Sequence, residues 1–332
     1  MSYLVIGLEG ETLTARERAW LARDEVGGVI VFTRNFASPD QLARLLDAVR
    51  AVDADSLVVV DQEGGRVQRI REPATVLPPL GRIGAAFDAD AGRGLALAMA
   101  HGQLMASEML ALGIDMSLAP VLDLDRGCTV IGDRALHAEP DAVKGLGAAY
   151  IKGMATAGMQ ACGKHFPGHG SVREDTHLEV AVDPRDEQTL LGTDMVPFTV
   201  NCRRQLTSLM MSHVVYPAWD PAPAGYSSRW IQGMVRERMG FEGVVFSDDL
   251  GMAAACGVGG FEARLHEAMD AGSDLVLVCR PADTQACFAE VKRWPEIPRD
   301  RRGELHGRRS VDWQEFAASA ERRELQEQLE GL

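Results

Sequence analysis

Short apolar runs rich in β-branched residues recur along the chain without the polar–apolar alternation of a half-exposed sheet. They fall at Leu4–Leu8, Gly28–Phe32, Leu57–Asp61, Met116–Leu122, Met159–Gly163, Leu209–Val215, Val244–Ser247 and Leu275–Cys279. Unbroken apolarity of this kind suits strands covered on both faces, as parallel strands are. Between the runs, helical spacing of apolar residues predicts helices in Ala15–Glu25, Gln41–Val52, Leu95–Leu112, Asp141–Ala157 and Arg229–Met239. Eight strand–helix units predict an α/β fold of the (β/α)8 barrel type, for which about 250 residues is typical. A doubly wound open sheet stays open as the alternative, because periodicity does not report closure. No break in composition marks a second large domain, so residues 1–290 read as one barrel. Past it, Trp294–Pro298 and Arg299–Arg302 read as a linker, and Trp313, Phe316, Ala317, Ala320 and Leu325 outline a loosely amphipathic helix. Residues 291–332 are therefore expected to be a linker and one C-terminal helix docked on the barrel.

The polar residues change the picture, because they gather at one end of the predicted strands. Asp61 ends the third predicted strand, Asp123 and Asp125 end the fourth, and Lys164 and His165 end the fifth. Ser212 and His213 lie late in the sixth, and Asp248 and Asp249 end the seventh. In a barrel all these C-terminal ends open onto one face, where active sites are built. The opposite ends carry no comparable cluster.

Composition excludes some functions. The 332 residues are 46% hydrophobic and 25% charged, ordinary for a soluble enzyme. A net charge of -14 leaves no basic surplus to neutralise phosphates, so no nucleic-acid partner is expected. Met1–Gly7 has no basic leader, and no run reaches the roughly 18 apolar residues of a spanning helix. The six cysteines are scattered with no Cys-x-x-Cys pair, which suits reduced thiols better than a disulfide frame or a structural zinc. The expectation is a cytoplasmic protein without membrane association.

The densest chemistry lies in Gly163-Lys164-His165-Phe166-Pro167-Gly168-His169-Gly170, followed by Asp175-Thr176-His177. Glycines and proline forbid a regular helix there, so the chain must leave a strand and enter a shaped loop. A histidine titrates near pH ~6.5 and can give and recover a proton, and an adjacent carboxylate favours its protonated form. A loop His paired with Asp for stability is the plainer reading of Asp175 and His177. In Val244–Met252, adjacent strand residues point to opposite sides, so at most one of Asp248 and Asp249 is expected in the barrel mouth. The other would cap the next helix or face outward. Asp61-Gln62-Glu63-Gly64-Gly65-Arg66-Val67-Gln68-Arg69 and Val130-Ile131-Gly132-Asp133-Arg134 supply further charges. Gly64-Gly65 either lets the backbone approach a ligand or forms a turn.

Taken in order, these runs resemble the signatures of glycoside hydrolase family 3, in particular its β-N-acetylglucosaminidase branch, up to about Cys279. The resemblance implies release of terminal β-linked N-acetylglucosamine by a retaining double displacement. It assigns the nucleophile to Asp248 and the acid/base to His177, steadied by Asp175. It assigns sugar contacts to Asp61, Arg69, Arg134, Lys164 and His165. It further implies the cytoplasmic branch that trims muropeptides in peptidoglycan recycling, acting on a small carbohydrate substrate as a monomer, with no cofactor and no metal. Family members commonly have Asp-Thr where this chain has Ser171-Val172, which puts the packing and mobility of that loop in question. His169 and His213 read as loop braces, and Asp123 is left without a role. Three other readings stay open: a phosphorolytic relative, a metal-dependent barrel hydrolase using His165, His169 and His177, and a sugar-binding protein without catalysis.

Overall fold

Eight parallel strands make one sheet in the computed structural model, which describes residues 2–332 apart from 173–180, Arg204, Ala253, Ala254, Cys256, Val258, 296–299, Arg309 and Ser310. In chain order they are β1 (Leu4–Gly7), β2 (Val26–Val31), β3 (Leu57–Val60), β4 (Met116–Ser117), β5 (Cys162–Phe166), β6 (Ser208–Met211), β7 (Val244–Asp249) and β8 (Leu275–Val278). Each pairs with its chain neighbours, and β1 pairs with β8. The remaining seam, between β4 and β5, is closed irregularly. Cys162 N–H donates to the Ala119 carbonyl at 2.8 Å, Lys164 N–H to Pro120 at 3.2 Å, and Leu122 N–H to Lys164 at 2.8 Å. The sheet is thus a (β/α)8 barrel rather than an open sheet. Pro120 has no N–H to offer, so regular pairing of β4 stops at Ser117 instead of running to Leu122. Every residue of β1, β2 and β3 is buried, the reason these strands read as unbroken apolar runs, and β5 is buried throughout although it carries Lys164 and His165.

Helices follow where caps and apolar spacing agree. α1 (Ala15–Leu21) begins at a capping box in which Glu17 N–H donates to Thr14 Oγ1 and Thr14 N–H to Glu17 Oε2. It stops short of the expected Glu25 because that residue's carbonyl already accepts from Tyr3 and Leu4 at the start of β1. α2 (Pro39–Arg50) starts on Ser38 with proline in the first turn. α3 (Leu80–Ala89), α4 (Ala91–Ala111), α5 (Pro140–Ala157), α6 (Glu187–Gly192) and α7 (Val196–Cys202) precede a helix of wider, π-type winding over Arg229–Arg238. α8 (Phe261–Ala271) and α9 (Pro281–Glu290) complete the outer ring.

The C-terminal segment departs from expectation. Two helices replace the single one: α10 (Trp313–Ala318) and α11 (Ala320–Leu329). The break is Ser319, whose Oγ accepts from Arg322 N–H at 3.1 Å and so caps a new helix. Both pack against α4. Part of the expected linker, 296–299, lies outside the described residues. Its continuation is tied down, with Arg301 donating to the Gly243 carbonyl at 2.9 Å and Arg302 paired with Asp53. Among the described residues no helix is long and apolar enough to cross a membrane, and Cys128, Cys162, Cys202, Cys279 and Cys287 are free thiols. Cys256 lies outside the described residues.

Candidate active site

The C-terminal ends of the strands open into a cavity of about 590 Å³. Ile30, Leu118, Met210 and Leu277, from β2, the β4 seam, β6 and β8, give it apolar walls. Asp61, Arg69, Arg134, Lys164, His165 and Asp248 all line it, although they come from segments up to 187 residues apart (Asp61 to Asp248). Asp175 and His177 lie outside the described residues.

Lys164 organises one side. Its side chain is 2% exposed, because β5 runs through Lys164 and His165 instead of ending at Gly163. Lys164 Nζ donates to Asp61 Oδ1 at 2.9 Å and sits 2.6 Å from Glu63 Oε1. Arg134 reaches the same Glu63 with both arms of its fork, Nε to Oε2 at 2.8 Å and Nη2 to Oε1 at 2.9 Å. Burial alone would lift the Asp61 and Glu63 carboxyls; their cationic neighbours, Lys164 and Arg69 for Asp61 and Arg134 and Lys164 for Glu63, outweigh it and hold both below the usual carboxylate range. Burial likewise works against the Lys164 ammonium, and the two acids overcome it, so the lysine stays charged. Arg69 approaches Asp61 Oδ2 at 3.3 Å, while its buried Nε has no partner among the described residues. A donor left open at the cavity wall is available to a ligand oxygen.

Asp123 organises the next side. It is fully buried after the β4 seam and accepts from the His165 backbone at 3.1 Å and from the His169 backbone at 2.7 Å. Its Oδ2 also lies 2.7 Å from His165 Nδ1. Burial would raise this carboxyl, and the facing His165 ring with its hydrogen bond pulls it below the usual range. One acid therefore clamps both ends of the Lys164–Gly170 motif and orients the His165 ring. Gly170 is required here, since a Cβ would lie 1.7 Å from the Leu124 carbonyl. His169 braces the loop, with Nδ1 3.6 Å from Cys128 Sγ. His213 stacks on Tyr226 at 5.2 Å and contacts the Asp249 carbonyl at 3.2 Å.

At β7 the structure corrects one expectation. Both Asp248 and Asp249 line the cavity, not one. The pairing of β7 with β8 slips between Phe246 and Asp249, so strict alternation fails at the strand end. The two acids are nonetheless unequal. Asp249 Oδ1 accepts from the Gly251 and Cys279 amides, both at 3.0 Å, which ties the ends of β7 and β8 together. Burial lifts the Asp249 carboxyl to about 6. Asp248, which also lines the cavity, accepts through Oδ1 only the neighbouring Asp249 amide among the bonds described, at 2.8 Å.

Other participants were not singled out from sequence. Glu63 sat inside a quoted run without a role, yet it carries two cations. Arg34 lines the cavity after β2, donating to the Leu8 carbonyl at 2.7 Å and the Cys279 carbonyl at 2.8 Å. Arg66 binds the Val130 carbonyl and pins the 129–134 loop that delivers Arg134. The only sequence signal for these was a charge near a strand's C-terminal end. Gly64 and Gly65 form a left-handed turn (φ 102° and 56°) packed on Pro78 and Pro79, so they shape protein, not a ligand approach. Among the described residues no group of His, Cys, Asp or Glu is placed to hold a metal ion.

Comparison with known proteins agrees with this geometry. The family model described as the glycosyl hydrolase family 3 N-terminal domain matches residues 5–296. A beta-hexosaminidase of Stenotrophomonas maltophilia is 53% identical over 279 residues, covering 84% of this chain and 83% of the relative. The crystal structure of native NagZ from Neisseria gonorrhoeae superposes with a TM-score of 0.90 at 37% identity, covering 99% of this chain and 96% of that one. The same protein in complex with N-trifluoroacetyl-D-glucosamine gives a TM-score of 0.91 at 37% identity, covering 99% and 97%.

Proposed function

We propose, for a chain that belongs to glycosyl hydrolase family 3 and is a β-N-acetylhexosaminidase, that Asp248 is its nucleophile and His177 its acid/base. In the first step an Asp248 oxygen attacks the anomeric carbon and the glycosidic bond breaks, while protonated His177 gives its proton to the leaving oxygen. In the second, His177 takes a proton from water, whose oxygen attacks the same carbon and frees Asp248. Two inversions retain configuration. Asp175 keeps the histidine in the right tautomer and favours its protonated form.

The observation that carries this reading is convergence. Asp248, with one carboxylate oxygen not engaged by the described backbone, shares a single cavity with Asp61, Arg69, Arg134, Lys164 and His165. Asp61 can accept from sugar hydroxyls while Arg69, Arg134 and Lys164 donate to others.

The substrate in this reading is a muropeptide from peptidoglycan, cut to release terminal β-linked N-acetylglucosamine, with the chain acting as a cytoplasmic monomer. Charge supports an anionic substrate. In a protein of net charge -14, Arg34 lines the mouth bonded to carbonyls and, among the described residues, to no carboxylate, beside Arg69 on the face of Phe32. A chromogenic β-N-acetylglucosaminide should be turned over with chelator present and the matching glucoside should not. Release of N-acetylglucosamine from its 1,6-anhydro-N-acetylmuramic acid conjugate, with the β-anomer formed first, would complete the case. An α-anomer product refutes the double displacement, and a sugar 1-phosphate formed only with phosphate present would favour phosphorolysis.

A further inference from the structure

Outside the 5–296 span matched by the family model, α11 reaches back to the loop that carries Arg69. Arg322 Nε donates to Glu108 Oε1 at 2.8 Å, and its Nη2 donates to the Pro73 carbonyl at 2.9 Å. Glu108, on α4 with a side chain 1% exposed, also accepts from Thr75 N–H at 2.9 Å and Thr75 Oγ1 at 2.7 Å. Gln326 Nε2 donates to the same Thr75 hydroxyl at 2.8 Å. A buried carboxylate with a full set of donors and one cation holds its partners rigidly, because any displacement leaves a charge unsatisfied.

The connection continues inward. Gln68 Nε2 donates to the Thr75 carbonyl at 2.7 Å and to Ile70 at 3.0 Å, and its Oε1 accepts from Leu77 N–H at 3.0 Å. Gln62 Oε1 accepts from the backbones of Arg69 and Ile70 at 3.0 and 3.1 Å. Two glutamines therefore stitch the 70–77 segment to the two ends of the 61–69 hairpin. Thr75 is where that stitched unit meets Glu108 and α11. An Arg69 guanidinium aimed at a sugar needs its backbone fixed to within a fraction of an ångström, and loops rarely supply that alone.

We propose that Arg322, acting through Glu108 and Thr75, is a positioning residue for substrate binding by Arg69, so that α11 is a working part of the sugar site. This rests on the reading of Arg69 as a sugar contact. Arg69 would hold the sugar in the ground and transition states alike, so loss of its positioning falls on KM more than on kcat.

The test is a double-mutant cycle on the full chain with a chromogenic β-N-acetylglucosaminide. Arg322→Ala should raise KM by about fivefold with kcat within about twofold, and Arg322→Lys, which keeps a cation beside Glu108, should recover much of it. In an Arg69→Ala background, Arg322→Ala should add nothing further to KM. Gln326→Ala, which removes only one donor from Thr75, serves if Arg322→Ala does not fold, and should raise KM in the same direction. An unchanged KM in folded Arg322→Ala or Gln326→Ala, or an effect that multiplies with that of Arg69→Ala, overturns the proposal. If Arg69→Ala itself leaves KM unchanged, the binding role of Arg69 fails first and the proposal with it.

Discussion

Glu63 grips Arg134 with both carboxylate oxygens, at 2.8 and 2.9 Å, and the same carboxylate lies 2.6 Å from Lys164 Nζ. A side chain that is almost wholly buried thus sets the spacing of two cations facing the cavity. Removing the charge leaves Arg134 without its carboxylate and Lys164 with Asp61 alone, the two cations facing each other across a buried neutral side chain. Glu63→Gln should cost about 3–5 kcal/mol of stability, as loss of one partner from a buried ion pair does, and should raise KM. Urea unfolding and steady-state kinetics on the same preparation check it. Wild-type stability in the variant would show that the pair carries no such load.

Asp248→Asn should lower kcat by at least about 10⁴-fold, the scale on which removal of a nucleophile is felt. N-acetylglucosamine should still bind, because the amide fills the same space and Asp61, Arg69 and Lys164 are untouched. Calorimetry of the variant with the sugar, beside its kcat, makes the comparison. Residual turnover near that of wild type would remove Asp248 from the mechanism.

His177→Ala should damage disaccharide cleavage far more than cleavage of an activated aryl glycoside. A good leaving group needs little protonation, whereas a sugar alkoxide needs the acid. The readout is the ratio of kcat/KM on the two substrates, variant against wild type. Equal losses on both count against the acid role.

His101 and Asp249 push the pH dependence of stability in opposite directions. His101 is fully buried in α4, with Nε2 3.1 Å from the Pro78 carbonyl and its ring 5.4 Å from Tyr150; burial holds its pKa at about 4 against 6.5. The unfolded chain therefore takes up a proton between those values, and stability falls by roughly 3 kcal/mol as pH drops through that window. Asp249 acts in reverse. Its carboxyl is raised to about 6 from 3.8, so the folded state holds a proton between those values and stability is lost as pH rises through them. Asp249→Asn should steepen the acid-side fall, and His101→Gln should make it shallower. Thermal unfolding midpoints at pH 4.5, 5.5 and 7 would reveal both, and parallel curves for the two variants would refute the assignment.

The barrel was legible because parallel strands are buried on both faces and so spell themselves as apolar runs. Leu57–Val60 and Leu275–Val278 needed no tertiary information to be recognised. Where prediction missed, a hydrogen-bond partner outside the apolar pattern was the reason. Pairing of Cys162 and Lys164 with the Ala119–Leu122 seam carries β5 past the end of the apolar run at Gly163, through Lys164 and His165 to Phe166. α1 ends early because Glu25 is already committed to β1, and the C-terminal helix divides because Ser319 caps it a second time.

The cavity divides in the same way. The positions of Asp61, Lys164, His165 and Asp248 at strand ends were visible in the chain, since strand direction assigns each to the same face, whereas Arg69 and Arg134, in the loops beyond, were named only by the family resemblance. Their partnerships were not. Nothing local says that Glu63 joins Arg134 to Lys164 across 71 residues, or that Asp123 fixes His165 across 42. Nor does local sequence reveal that Asp249 is bound by the Gly251 and Cys279 amides while Asp248, among the bonds described, accepts only its neighbour's. Hydrophobic period and residue type act over a few residues and could specify which elements form and which end of them is charged. Hydrogen bonds and ion pairs in a desolvated cavity depend on distances that barrel closure alone creates, so the chemistry of each carboxylate was decided only by the tertiary structure.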